Sequence, residues 1–474
     1  MTTIKKLANQ DPSTRVEEDS LGQQSVPASA LYGIQTQRAA QNFDITGTPI
    51  SHFSELVRAL AMVKYAAAKA NHQLDILSDD KADAITDACL ELIEGEHHEH
   101  FIVDLIQGGA GTSTNMNANE VIANIGLVKM GYEYGEYRHL HPNNDVNCSQ
   151  STNDVYPSAA RIAIIFSART LKQAVSDLQR SLEAKGQEFS EILKMGRTQM
   201  QDAVPMTLGQ EFNAFASDLG GETEHIEHTC QQLCEVNLGG TAIGTGINAP
   251  SAYADLVVKE LTDISGLPIR LAVDLMAASS DMGDFVTFSG TLKRLAIKLS
   301  KLSNDLRLLS SGPRTGLNEI NLPAVQPGSS IMPGKVNPVI PEAMNQTAFQ
   351  IMGTDMSVTM AAEAGQLQLN AMEPLIVYNL LNNSRMLEKS IRMLDKLCIQ
   401  GITANEDHCA QYVERSIGIV TALVPHIGYD NASRIAGIAL HSGLGVAELV
   451  RREQLLSDEQ LAAILSPSAM TTNL

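Results

Sequence analysis

Four polar segments contain the densest clusters of hydroxyl and amide side chains in this sequence. They are GGAGTSTNMNANE (108–120), SQSTND (149–154), GRTQMQDAVP (196–205) and GSSIMPGKVNP (328–338). Together they offer many neutral hydrogen-bond donors, one notable lysine and few other charges. Hydroxyl, amide and cationic donors are the groups that bind small carboxylates. The set therefore predicts a site for a small, oxygen-rich anion.

The same residue types have a purely structural use. Ser, Thr and Asn side chains cap helices and close turns, and this explains any one of the four segments. It explains all four together less well, because no other part of the chain is so rich in these side chains.

The segment GSSIMPGKVNP resembles neither a helix nor a strand. Gly328, Pro333, Gly334 and Pro338 interrupt regular structure, since glycine tolerates unusual φ values and proline has no backbone N–H to donate. We therefore expect a loop at these residues.

Two other clusters contain residue types that bind metals. They are EHHEH (96–100) and the group His225, His228, Cys230 and Cys234. On one helix the second group is offset around the axis, so its side chains cannot surround a single tetrahedral zinc ion. We expect a solvated helix face at the first place, partly buried small side chains at the two cysteines, and no metal site at either.

Two glycine-rich motifs resemble nucleotide-binding signatures. GTGINA (244–249) lacks a preceding strand, and GGAG (108–111) lacks the Lys-Ser/Thr pair of a phosphate-binding loop. Both motifs instead predict tight turns that bring backbone close to a site.

Long helices are expected to position these segments. Leu171, Val175, Leu178 and Leu182 recur at spacings of four, three and four residues, which predicts a helix over about 159–194.

Three further stretches have helical patterns. Leucines at alternating spacings of three and four form a seam over 292–309. We also expect helix over about 206–237, and over 341–398 with interruptions near Gly353 and at Pro374. Helices of this length predict an all-α (mainly α) protein in which a bundle buries the seams within and between chains.

Polar stretches at 141–154 and 401–408 predict the domain edges. We expect a mixed, mostly helical N-terminal domain (1–148), a central long-helix bundle (149–402) and a small helical C-terminal domain (403–474).

Charge and composition exclude several classes of partner. The 474 residues include 34 Lys and Arg against 54 Asp and Glu, a net charge of -20, which opposes binding to nucleic acid or anionic lipid. The sequence has no signal-peptide pattern and no apolar run near the ~18 residues of a membrane span. Six scattered cysteines predict reduced thiols. We therefore expect a cytoplasmic protein.

GSSIMPGKVNP resembles the signature of the aspartase/fumarase superfamily. The resemblance covers nearly the whole chain, from EEDSLG (17–22) and LYGIQTQRAAQNF (31–43) to GQLQLNAMEP (365–374). GGAGTSTNMNANE, LKMGRTQMQDAVP and NDLRLLSSGPRTGLNEINLP are most similar to the members that release ammonia from aspartate. The resemblance implies three mostly helical domains, a homotetramer around a central bundle, and active sites assembled from three subunits.

The resemblance also implies a reaction, the reversible anti elimination of ammonia from L-aspartate to give fumarate through an aci-carboxylate intermediate. Ser329 would be the base that removes the Cβ proton. A serine is a weak base at its ordinary acidity, so this role requires an alkoxide stabilised by backbone N–H groups and nearby cations. A loop that carries the base must open to admit substrate and close to exclude water.

Other superfamily positions would bind the substrate. By resemblance, Thr112, Ser151, Thr152 and Ser330 surround the β-carboxylate, Lys335 and Asn337 hold the α-carboxylate with Thr198, Asn153 lies near the amino group, and Gln199 completes the set. Proton removal beside a carboxylate places two negative charges on one group, and pre-aligned donors lower the free energy of that species.

Gln199 bears on the leaving group. Superfamily members that release water carry His at this position, paired with a carboxylate at the position of Glu342. Hydroxide needs a proton donor, whereas an α-ammonium already carries its proton. Gln199 therefore favours release of ammonia. Fumarate hydratase is the alternative enzyme, and an inactive structural protein on this fold is the alternative without catalysis.

The expected partners are L-aspartate, fumarate and other copies of the chain, with no nucleic acid and no membrane. The residues imply no required cofactor and no catalytic metal. An activating divalent cation such as Mg²⁺ is left open by the resemblance.

Overall fold

The computed structural model describes residues 13–328 and 330–471, without the side chains of residues 467 and 468. Helices make up most of this part of the chain, which confirms the mainly helical prediction. They are α1 (Ile34–Asn42), α2 (Ser54–Gln73), α3 (Asp79–Glu94), α4 (Thr112–Lys129), α5 (Thr152–Glu188), α6 (Leu208–Gly220), α7 (Glu222–Leu233), α8 (Tyr253–Ser265), α9 (Leu275–Ala278), α10 (Gly283–Leu309), α11 (Val339–Glu363), α12 (Glu373–Leu397), α13 (Glu406–Arg415), α14 (Val420–Ile427), α15 (Tyr429–Ser442), α16 (Val446–Arg452), α17 (Asp458–Ile464) and α18 (Pro467–Thr471).

Short strands pair two by two. They are β1 (Thr14–Asp19), β2 (Gly22–Pro27), β3 (Leu193–Thr198), β4 (Gln201–Thr207), β5 (Glu235–Val236), β6 (Arg270–Leu271), β7 (Ile320–Asn321) and β8 (Thr403–Ala404). The pairs β1–β2, β3–β4 and β7–β8 are antiparallel, and β5–β6 is parallel.

Helix α5 confirms the long helix predicted from apolar spacing. Leu171, Val175, Leu178 and Leu182 are all fully buried. The helix begins earlier than predicted, because the polar segment SQSTND caps it, and it ends earlier because the chain turns into β3.

The leucine seam of α10 is also confirmed, since all six of its leucines are buried. The expected interruption near Gly353 is wrong, because α11 runs through this residue to Glu363. A glycine inside a helix costs only about 1 kcal/mol and does not by itself end one.

Pro374 lies in the first turn of α12 and does not kink its interior. Proline is tolerated there because first-turn N–H groups have no partner within the helix. The stretch predicted over 206–237 is split by Gly221 into α6 and α7, and its first residues belong to β4.

The described residues form two compact units. The first contains the chain up to Leu171, Glu224–Lys293 and Ile351–Met386, and the second contains Lys172–Thr223, Arg294–Gln350 and the described residues from Leu387 onward. The three-domain boundaries stay a prediction.

Each unit has its own apolar core. In the first, α2 packs against α3 and α8 and is buried along most of its length. In the second, α13 and α18 pack against the β3–β4 hairpin, and Met195 of β3 joins an apolar cluster from the C-terminal helices. Among the described helices, none is both long and apolar enough to cross a bilayer.

Candidate active site

The glycine-rich turn before α4 presents Thr112. Gly109, Ala110 and Gly111 all have positive φ, as the prediction of a tight turn requires. A β-carbon on Gly111 would overlap the ring of buried Tyr156, so the chain can pass here only as glycine. Thr112 is the first residue of α4, is exposed, and donates its hydroxyl to the Gly109 carbonyl at 2.7 Å.

The segment SQSTND caps α5. Ser151 Oγ accepts from the Asn153 N–H at 3.2 Å, and Asp154 Oδ1 accepts from the Ser151 N–H at 3.0 Å. This reciprocal cap places Thr152 at the helix start, where the partial positive charge of the N-terminus favours an anion. Asn153 is held by a hydrogen bond from its Nδ2 to the Ala242 carbonyl at 2.7 Å.

Asp154 holds this helix start in place. Its buried carboxylate also accepts from the backbone N–H groups of Gly239 and Thr241, at 3.0 and 2.9 Å. Burial raises the pKa of Asp154 to about 6, against the opposing effect of these donors and of Lys64.

Lys64 is a functional candidate that sequence reasoning missed. Its ammonium is fully buried in the first unit and donates to Asn147 Oδ1 and Gln150 Oε1, both at 2.9 Å. Burial lowers the pKa of Lys64 to about 7. The available signal was a lysine within the otherwise apolar run of α2, which a helical wheel places on a buried face.

The β3–β4 hairpin presents Thr198 and Gln199 in the second unit. Thr198 pairs with Gln201, so Gln199 and Met200 form a two-residue turn, and both have positive φ. All three residues from Thr198 to Met200 are exposed.

A buried ion cluster supports this hairpin and was also missed from the sequence. Glu319 has no exposed surface, and its two oxygens lie 2.6 Å from Lys194 Nζ and 2.5 Å from Arg197 Nη1. Both cations belong to β3. Lys194 also contacts Glu211 at 2.5 Å. One buried carboxylate therefore fixes the strand that leads to the proposed site residues.

The predicted loop is confirmed in its described residues, since α11 begins only at Val339. Ser330 and Lys335 are exposed on it. Asn337 Nδ2 donates to the Gly328 carbonyl at 2.5 Å, which ties the two ends of the loop together. Gly328 passes so close to the Lys335 backbone that a β-carbon would overlap it.

The site residues fall into separate groups. Thr112, Ser151, Thr152 and Asn153 belong to the first unit, and Thr198, Gln199, Ser330, Lys335 and Asn337 belong to the second. Within the first unit, Asn115 of α4 donates to Thr152 Oγ1 at 3.0 Å and so joins the two helix starts. Ser329 lies outside the described residues. The role of each residue toward substrate stays a prediction.

Metal-ligating side chains converge at one place among the described residues. Glu91, Glu96 and His97 bring one ligand atom each within 4.8 Å of one another. Lys129 Nζ forms an ion pair with Glu91 Oε1 at 2.6 Å, and His97 Nε2 lies 3.1 Å from Glu91 Oε2. This ion-paired cluster includes part of the EHHEH segment, and the prediction that no metal binds there is untested.

The chain is similar to known proteins along most of its length. A family model described as "Lyase" matches residues 22–353, and one described as "Fumarase C C-terminus" matches residues 419–472. The chain belongs to the aspartase/fumarase superfamily. The resemblance seen in the signature loop is thereby confirmed.

Superfamily relatives match almost the entire chain. The aspartate ammonia-lyase of Pseudomonas aeruginosa is 61% identical over 97% of each chain, and that of Escherichia coli is 53% identical over 95% of each. A crystal structure described as a fumarate lyase:delta crystallin from Brucella melitensis bound to cobalt has a TM-score of 0.95 at 54% identity, covering 97% of this chain and 100% of that one.

Proposed function

We propose that this protein catalyses the reversible elimination of ammonia from L-aspartate to give fumarate. The observation that carries the proposal is the near full-length similarity to proteins named aspartate ammonia-lyase, at 51 to 62% identity. Gln199 agrees with this reaction, because a departing ammonia needs no histidine to protonate it.

The reaction begins with loss of the Cβ proton to Ser329. The resulting aci-carboxylate carries two negative charges, and it accepts hydrogen bonds from the hydroxyls of Thr112, Ser151, Thr152 and Ser330. Lys335 and Asn337 hold the α-carboxylate with Thr198, Asn153 lies near the amino group, and Gln199 completes the set. Ammonia then leaves Cα and the double bond of fumarate forms. The exposed Ser330 hydroxyl and the capped start of α5 support these roles, and the exposed Thr112 hydroxyl would exchange its hydrogen bond to the Gly109 carbonyl for one to the substrate.

The decisive assay follows fumarate absorbance in metal-free buffer, with L-aspartate in one sample and L-malate in another. A rise with aspartate alone is the expected result. A rise with malate alone would replace the proposal with fumarate hydratase, and no rise with either would favour an inactive structural protein.

Two loop variants test the base. Ser329→Ala should abolish turnover, because alanine has no hydroxyl that could remove the Cβ proton. Ser330→Ala is the matched control and should keep measurable turnover with weaker substrate binding. A loss of twofold or less in Ser329→Ala would contradict the assignment.

We further propose a homotetramer whose sites combine residues from three subunits. Phe349, Met356 and Met360 lie on one face of α11 and are 59, 62 and 65% exposed. An apolar stripe of this kind is typical of a helix that packs against another copy. Mixing a Thr152→Ala variant with a Lys335→Ala variant tests the shared site, because hybrid tetramers would regain activity that neither variant has. Failure to regain activity after proven subunit exchange would contradict it.

The proposed steps use only side chains of this chain, so the reaction includes no cofactor. An activating role for Mg²⁺ is tested by comparing rates in metal-free buffer before and after its addition. All six cysteines are free thiols, as expected, which supports the proposal of a cytoplasmic enzyme.

A further inference from the structure

The hydroxyl of Thr152 accepts a hydrogen bond from inside the protein. Asn115 Nδ2 donates to Thr152 Oγ1 at 3.0 Å. A hydroxyl has one proton and two lone pairs, and a lone pair is used by Asn115. The proton of Thr152 is therefore directed away from Asn115 and is free to be donated to a bound anion.

The amide of Asn115 has only one satisfactory orientation. The same Nδ2 donates to Asn147 Oδ1 at 3.1 Å, while Asn115 Oδ1 is buried and has no hydrogen-bond partner among the described residues. Turning the amide over would bring its oxygen against the oxygen of Asn147, two acceptors that repel each other. Leaving the Asn115 oxygen unpaired therefore costs less free energy than turning the Asn115 amide over, as long as Asn147 keeps its own orientation.

Lys64 prevents Asn147 from turning. An ammonium has N–H donors and no acceptor, so the oxygen of Asn147 must face it, at 2.9 Å. Asn119 Nδ2 donates to the same oxygen at 3.2 Å, and Asn147 Nδ2 donates to the Gln150 carbonyl at 3.3 Å. Every group around Asn147 therefore selects one amide orientation.

We propose that Lys64, Asn147 and Asn115 form a positioning chain that aims the Thr152 hydroxyl proton at the β-carboxylate of the substrate. This inference rests on the proposed function. The three residues act through Thr152 and do not touch substrate. They change the reaction rate because a hydroxyl proton that already points at the dianionic intermediate stabilises it. A hydroxyl that turned its lone pairs toward the intermediate would repel it and raise its free energy.

A matched pair of substitutions tests the chain. In Asn115→Asp an ionised carboxylate replaces the donor, so Thr152 would donate to it and turn its lone pairs to the substrate. We expect kcat/KM for aspartate to fall about 100-fold, the scale of losing one aligned donor. Asn117→Asp adds the same charge to the same helix, at a fully buried amide that donates to the His100 carbonyl at 3.0 Å rather than to Asn147 or Thr152, and should keep most of the activity. Equal losses in both variants would overturn the proposal.

Substitutions of Lys64 separate orientation from charge. Lys64→Gln keeps an N–H donor for Asn147 but removes the charge, whereas Lys64→Met removes both at similar length. If Lys64 acts by orienting Asn147, kcat/KM should be at least tenfold higher in Lys64→Gln than in Lys64→Met. Equal activity in the two variants would show that the donor to Asn147 does not matter and would overturn the chain.

Calorimetry with succinate makes the test independent of turnover. Succinate is a dicarboxylate without an amino group, so it reports carboxylate binding alone. The chain predicts weaker succinate binding in Asn115→Asp than in Asn117→Asp, and equal affinities would contradict it. If wild-type protein binds succinate but makes no fumarate from aspartate, the proposed function fails while the comparison of the two variants still decides the positioning role.

Discussion

Gln199 and Met200 share a left-handed backbone, with φ values of 54° and 63°, at the tip of the β3–β4 hairpin. Two-residue turns of this type are normally built from Asn-Gly, because a β-carbon is strained at positive φ. The strain lies in the segment that carries two proposed substrate-binding residues, and strained backbone of this kind is concentrated at functional sites.

Met200→Gly should relieve that strain. Met200 is 60% exposed, so little packing is lost, and we expect the free energy of unfolding to rise by up to about 1 kcal/mol. Urea denaturation measures the change. Ala184→Gly, at an exposed position inside α5, is the control and should lower the free energy of unfolding by about 1 kcal/mol. A destabilised Met200→Gly would show that the turn is not strained.

Glu319→Gln should strongly destabilise the second unit. The change leaves buried Lys194 and half-buried Arg197 without the carboxylate that both contact, and breaking a buried ion pair costs about 3–5 kcal/mol. Guanidinium denaturation measures this loss. Asp458→Asn breaks the exposed ion pair with Arg451 and should cost less than about 1 kcal/mol. Similar losses in both variants would argue against the buried cluster as the support of the hairpin.

Glu373 should make stability depend on pH. It begins α12, is 2% exposed, and neither carboxylate oxygen has a hydrogen-bond partner in the part of the chain that the structure describes. Burial raises the pKa of Glu373 from 4.5 to about 8. The folded protein thus keeps a proton that the unfolded chain releases, so this group's contribution to stability is lost as pH rises from about 4.5 to about 8.

Glu373→Gln removes this dependence because glutamine is neutral at every pH. We expect the variant to match wild type near pH 5 and to be more stable by a few kcal/mol near pH 8. Thermal unfolding at the two pH values measures the difference. The same substitution at exposed Glu363 should leave the wild-type pH dependence in place. A Glu373→Gln variant that loses stability in parallel with wild type would contradict the prediction.

Lys335→Ala should raise KM for aspartate as well as lower kcat. A cation that holds the α-carboxylate binds both the ground state and the transition state, so its removal weakens both. Steady-state kinetics with fumarate detection measures the two constants. Lys389→Ala removes an exposed lysine from α12 and should change neither. An unchanged KM in Lys335→Ala would contradict the carboxylate role.

Periodicity predicted the long helices well and their ends poorly. The spacing of Leu292–Leu309 reports a buried face directly, because side chains three and four residues apart share one side of a helix. Helix ends depend on weaker local preferences. Gly353 was tolerated within α11, and Pro374 was placed in a first turn, where its missing N–H costs nothing.

The polar segments were found from the sequence, whereas their supports were not. Thr112, Thr152 and Lys335 stand out because hydroxyls, amides and a lysine cluster within a few residues of chain. Lys64 and Glu319 did not stand out, because their partners are far away in the sequence. Asn147 is 83 residues from Lys64, and Arg197 is 122 residues from Glu319. Composition cannot reveal a contact between such distant positions.

Sequence alone was enough to indicate a mainly helical chain, the superfamily and an anion-binding set of side chains, because short-range spacing and local chemistry encode all three. Tertiary packing decided which way those side chains face. The proton of Thr152 points outward only because buried Lys64 orients Asn147, and Thr198 and Gln199 sit on a hairpin whose strand is held by buried Glu319. Burial makes these contacts strong, since a polar group removed from water must find its partner within the fold.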